Sequence, residues 1–129
     1  MTQSASAATG PAVRVAGVHK AFPVKGGGET VALSGIDLEI ARGEFISLIG
    51  PSGCGKSTIL RLAAGLEEVQ AGTVAIGGDL VGAPGRHVPP ESRNVGLVFQ
   101  DFALFPHLTI CNNVGFGLRS SDPGERRTQ

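Results

Sequence analysis

A chain of 129 residues can bury one modest core and is too short for two ordinary domains. Eleven basic side chains balance eleven acidic ones, so no global field draws the molecule to nucleic acid or anionic lipid, and any anion site must be local. No apolar run is long enough to cross a membrane, and Cys54 and Cys111 lack metal-ligand spacing, which leaves free thiols in a reduced, cytoplasmic setting as the expectation.

The N-terminal stretch MTQSASAATGPA has neither the basic start nor the apolar segment of a secretory leader, and predicts a disordered tail over residues 1–11. Ala12–Val18 reads as a strand, Gly26–Gly28 as a turn and Thr30–Leu33 as a return strand, together a hairpin. Ile36, Leu38 and Ile40 alternate with Asp37 and Glu39, as in a strand wet on one side. These segments predict a small antiparallel layer. Phe45–Ile49 is almost unbroken in its apolarity, as expected for a strand buried on both faces. Ile59, Leu62, Ala63 and Leu66 then recur at helical spacing, which predicts a helix over Lys56–Ala64 closed near Gly65. Thr73–Ile76 is a short strand before the Gly77–Gly78 turn, and Val81–Pro90 a loop rich in glycine and proline. Val95–Phe99 is a second continuous apolar run and predicts a second central strand. The alternation of strands and helix gives an α/β core with a partly parallel sheet.

Between the first apolar run and the helix lies Gly50-Pro51-Ser52-Gly53-Cys54-Gly55-Lys56-Ser57, followed by Thr58. Two anchoring glycines ending in Lys and Ser fit the phosphate-cradling loop of nucleotide-binding proteins. Small residues let the backbone curl so that successive N–H groups face one centre, and Gly53 and Gly55 remove side chains that would obstruct a phosphate. The helix that follows presents the positive end of its dipole and N–H groups with no internal partner. Lys56 can reach terminal phosphates, and the Ser57 hydroxyl can bind Mg²⁺.

The flanks narrow the class. LSGIDLEIARGEFISLIGPSGCGKSTILRLAAGLE and RNVGLVFQDFALFPHLTICNNVGFGL together resemble two consecutive segments of ABC-transporter ATPase subunits, and the resemblance extends over about residues 13–118. It implies an α/β P-loop NTPase core with an N-terminal antiparallel β layer, occupying residues 12–118. Residues 119–129 form a polar, unfinished end, and the fold is expected to be truncated before the helical subdomain is complete. It further implies ATP and Mg²⁺ as ligands at Gly50–Thr58. Gln100 matches the family's Q-loop glutamine, which holds Mg²⁺ and the attacking water and senses the membrane partner. Phe22 matches the aromatic residue that stacks on adenine, and Ala32 falls near the ribose.

The implied partners are membrane permease subunits and a second copy of the ATPase subunit, on the inner face of the cell membrane, with no nucleic acid. The loop PGRHVPPESRNVGLVFQDFALFPHLT most resembles importers of ferric iron, followed by polyamine, sulfate and sugar importers. Within these 129 residues the family's signature LSGGQ, Asp–Glu strand end and switch histidine have no match, so no catalytic residue is assigned and ATP binding without turnover is expected. Two other readings share the loop. A nucleotide kinase of the guanylate kinase type has a similar GPSG-GKS/T loop, but close to its N-terminus and without the Gln100 block. A truncated, non-catalytic binding remnant would carry the same motifs.

Overall fold

The computed structural model describes residues 10–101 and 104–116. The expected tail therefore lies outside the described residues up to position 9, as do the whole of 119–129 and, within the Gln100 block, Phe102, Ala103, Gly117 and Leu118. The chain divides into two compact units, Met1–Leu97 and Val98–Gln129.

Alternating apolar residues and a three-glycine turn make the first unit's leading hairpin. Strand β1 (Val13–Pro23) pairs antiparallel with β2 (Glu29–Ile40), from Val13 against Ile40 to Pro23 against Glu29. Gly26, Gly27 and Gly28 all take positive φ, a conformation that only glycine adopts freely. The segments expected as two separate strands, Thr30–Leu33 and Ile36–Ile40, are one strand. Ser34–Gly35 is absorbed as an irregularity, because the ladder shifts register between Val18/Ile36 and Lys20/Leu33 and then resumes.

Helix α1 (Lys56–Ala64) has the expected bounds and is closed by Gly65 at φ +82°. The Leu66 N–H reaches Arg61 O at 2.9 Å and the Gly65 N–H reaches Leu62 O at 3.2 Å, the paired bonds of a Schellman stop. Strands β3 (Ala71–Ile76), β4 (Asp79–Ala83) and β5 (Arg86–His87) complete a five-stranded antiparallel sheet in the order β2-β1-β3-β4-β5. Val81–Pro90 is thus largely a hairpin rather than a loop. Pro84 presets φ for a tight turn, Gly85 supplies φ +74°, and Gly82 pairs with His87 across it. A single 3₁₀ turn, Pro90–Ser92, follows. The core beneath the sheet gathers Val15, Val18, Leu33, Leu62, Val69, Val74 and Val81.

The two continuous apolar runs are not strands in this structure. Within Phe45–Ile49, Ile46 and Leu48 are half-buried, whereas Phe45 is 91% and Ile49 94% exposed. The segment therefore covers one face only. Ile46 and Leu48 line a cavity of about 560 Å³ with Val15 and Leu38 of the sheet and Ile59 and Ala63 of α1. In Val95–Phe99, Val98 is 96% exposed. A strand buried on both faces needs hydrogen-bonded neighbours and two covering layers. Neither run has a ladder partner among the described residues.

The second unit is ordered around Asn113. Helix α2 (Ile110–Val114) is capped by Thr109, whose hydroxyl accepts from the Asn112 N–H. The Asn113 amide accepts from Phe105 N at 2.8 Å and donates to the carbonyls of Phe105, Leu108 and Thr109 at 3.0–3.2 Å. The Phe105 and Phe116 rings stack at 4.5 Å between centroids.

Candidate functional site

The loop Gly50–Gly55 leaves the first apolar run and enters α1 through Gly55, which is the N-cap in left-handed conformation with no side-chain capping bond. The helix's leading N–H groups, next to Lys56, Ser57 and Thr58, are therefore not claimed by a cap and remain available to an anion. Gly53 and Gly55 have φ +81° and +94°, so both positions call for glycine on backbone grounds. At Gly55 there is also no room: a Cβ would lie 2.5 Å from Ala32 O and 2.7 Å from Leu33 Cδ2. Close seating of Gly55 on β2 locks the start of α1 to the sheet.

Lys56 is turned onto its own loop. Its ammonium donates to Pro51 O at 2.6 Å and Gly50 O at 2.7 Å, and meets Cys54 Sγ at 3.4 Å. Three donors meet three acceptors, so the ammonium staples the cradle into a curl. The thiol is the weakest of the three partners, and an arriving phosphate oxygen would displace it at least cost. Ser57 is exposed beside it. Backbone amides, one ammonium and one hydroxyl form a donor set for a polyphosphate with a hard cation, and the residues present fit ATP with Mg²⁺.

The other candidates are distributed. Ala32 is brought against the loop through Gly55. Phe22, near the end of β1, is half-buried, with Lys20 Nζ 5.2 Å from its ring centroid. Lys20 is itself held by Glu67 at 3.0 Å and by Glu68 O at 3.0 Å, so an ammonium is fixed beside the ring. Gln100 is exposed and belongs to the second unit, whereas the loop belongs to the first.

Comparison with known proteins decides the family. The model of a family described as ABC transporter matches residues 33–129, three-quarters of the chain. The chain belongs to the ABC transporter family. Curated ABC relatives include the sn-glycerol-3-phosphate import ATP-binding protein UgpC of Burkholderia pseudomallei (strain 1710b), 49% identical over 108 residues. An ATP-binding protein of Brucella abortus (strain 2308) is 49% identical over 107 residues. These matches take in 84% and 83% of the chain but only 28% of each relative, so the chain spans little more than a quarter of their length.

Among solved ABC structures, the dimeric ATP-binding cassette MJ0796 bound to ADP and Pi superposes with a TM-score of 0.68 at 29% identity, over 89% of this chain and 52% of that one. A bacterial Atm1-family ABC exporter with ATP bound gives 0.71 at 30% identity, over 92% and 20%. The fold is accordingly an ABC-type P-loop NTPase core with an N-terminal antiparallel β layer.

Two residues that organise this ABC core carry no sequence signal. Gln70 imitates a strand, accepting from Ala21 N at 2.6 Å and donating to Ala21 O at 3.1 Å. Arg93 is 4% exposed and donates four hydrogen bonds to main-chain carbonyls. A lone Gln in a turn and a lone Arg after prolines look like surface residues, since nothing in their neighbours' periodicity announces burial.

Proposed function

We propose that the chain is the leading portion of the ATP-binding subunit of a solute importer. The observation that carries this reading is the curled loop Gly50–Gly55, stapled by Lys56 and opening onto the uncapped start of α1. In this reading the loop amides and Lys56 hold the phosphates of ATP, the Ser57 hydroxyl faces Mg²⁺, and Gln100 takes the Q-loop role that its motif implies. Bound Mg²⁺ would neutralise charge on the terminal phosphates. Phe22, steadied by Lys20, offers a ring face to the adenine base.

Import is supported by the name of the Burkholderia relatives, and the same name favours an organic phosphate cargo such as sn-glycerol-3-phosphate. The names of the relatives given above do not mention iron, so the preference for ferric iron lacks support. Among the described residues no helix is long and apolar enough to cross a membrane, in keeping with a peripheral subunit that docks on a separate permease at the inner face of the cell membrane. The dimeric state of MJ0796 supports pairing with a second copy in the longer protein. The exposed residues Leu104 and Phe105, 69% and 40% accessible, suit the permease-facing surface.

Calorimetry with ATP–Mg²⁺ tests the proposal. Lys56→Ala should weaken binding by about 1.5–3 kcal/mol, the range for charge-assisted hydrogen bonds. Equal affinity of variant and parent would remove the loop from the account.

A further inference from the structure

Arg93 is a buried cation with an unusual set of partners. Its Nε donates to Val88 O at 2.6 Å, Nη1 to Leu62 O at 2.7 Å and Ala63 O at 3.1 Å, and Nη2 to Val81 O at 3.0 Å. No carboxylate pairs with it among the described residues. Burial pushes its pKa below the ordinary arginine value, yet a guanidinium stays charged throughout the accessible pH range. The charge is balanced by carbonyl dipoles, and two of those carbonyls end α1, where the helix dipole favours a cation.

The slot is shaped for the fork. A Cβ at Gly65 would lie 2.5 Å from Nε and 2.9 Å from Cζ, and one at Gly82 3.8 Å from Nη2. The guanidinium thus bolts three segments together: the last turn of α1, strand β4 and the chain after β5. Asn94, the next residue, has φ +52°, so the backbone turns sharply as it leaves the bolt toward Val95–Phe99 and Gln100.

We propose that Arg93 is the positioning residue of the phosphate loop, fixing the far end of α1 so that the near end presents Lys56 and Ser57 in register with a polyphosphate. The inference rests on the ATP-binding reading above. Nine residues at about 1.5 Å rise make a rod of roughly 13 Å. Gly55 seats one end on Ala32, and Arg93 holds the other. With the far end released, the rod tilts about Gly55 and the first-turn N–H groups, though still close to the pivot, turn away from the direction of the phosphate, where alignment matters. Charge alone is insufficient for this role. The planar fork reaches three carbonyl-bearing segments at once, whereas a lysine ammonium is a point donor.

The test compares Arg93→Met and Arg93→Lys with the parent by amide hydrogen exchange and by ATP–Mg²⁺ calorimetry. In Arg93→Met, exchange across residues 55–64 should accelerate at least tenfold more than across β1, and ATP affinity should fall about tenfold. Arg93→Lys keeps the charge and should fall between the two on both measures. If Arg93→Met does not fold, the lysine variant decides by the same comparison. Parallel acceleration of α1 and β1 would make Arg93 a general stability residue and overturn the proposal, as would unchanged exchange in α1. A lysine variant equal to the parent would also overturn it, since charge would then suffice. A parent that does not bind ATP sinks the functional reading instead, while the exchange comparison still decides whether Arg93 controls the loop's helix.

Discussion

The Lys56 ammonium touches the Cys54 thiol at 3.4 Å, which puts a sulfur open to alkylation inside the curl that would hold phosphate. Both cysteines are exposed, and Cys111 lies in α2, away from the loop in sequence and in a different unit. Alkylation therefore has an internal control. Modifying Cys54 should abolish nucleotide binding, and saturating ATP–Mg²⁺ should slow labelling at Cys54 while Cys111 reacts at its usual rate, read by peptide mass spectrometry. Labelling of Cys54 that ignores ATP would contradict the cradle. At this scale the sequence was legible in the backbone of the loop, where α1 starts at Lys56 directly after Gly55. It was silent on Arg93, Gln70 and Asn113. Their value lies in which carbonyls the folded chain brings to them, and residue type alone does not encode that.

Among the elements, α1 was legible in full because every signal agreed: apolar spacing, a glycine N-cap, and a glycine stop whose αL geometry closes the last turn. The β4–β5 hairpin was not, since the density of glycine and proline over Val81–Pro90 hides Pro84–Gly85 as a turn signal between pairing residues. The apolar runs at 45–49 and 95–99 differ from the expected strands for another reason. Apolarity reports what a segment can bury, and the burying partner is decided elsewhere. In the second unit, the loop Leu104–Thr109 takes its shape from the Asn113 amide, whose bonds to Phe105 hold that ring against Phe116. Charge at Leu104 or Phe105 in a complete subunit should abolish capture of the permease while leaving ATP affinity unchanged. Asn113→Ala should reproduce the defect by releasing the loop. Loss of ATP binding in the Leu104 or Phe105 variants would instead mark these residues as core.

For the molecule as a whole, the apolar side chains left in water are informative: Phe45, Ile49 and Val98 are each more than nine-tenths exposed. In this chain Phe45→Lys should change stability by no more than about 0.5 kcal/mol, as for any surface site. At the matching position of a full-length relative, whose additional chain could cover this face, the same change should cost about 3 kcal/mol or more through a buried, unpaired charge. Urea denaturation of both proteins gives the comparison, and equal costs would mean that the face is wet in both. The sheet order has a further effect, on synthesis. β1 pairs with β2 directly but with β3 only after the phosphate loop and α1 have been made. At ribosomal speeds of about 5–20 residues per second, the second edge of β1 waits bare for roughly 3–10 seconds. Both ladders of β1 slip in register close to Gly17, between Val15 and Val18 on one side and between Ala16 and His19 on the other. A bulge there twists the waiting edge away from the flat geometry that invites a neighbouring nascent chain. Deleting Gly17 should straighten that edge and raise the insoluble fraction made at high expression, and slower growth temperature, which prolongs the wait, should not rescue it.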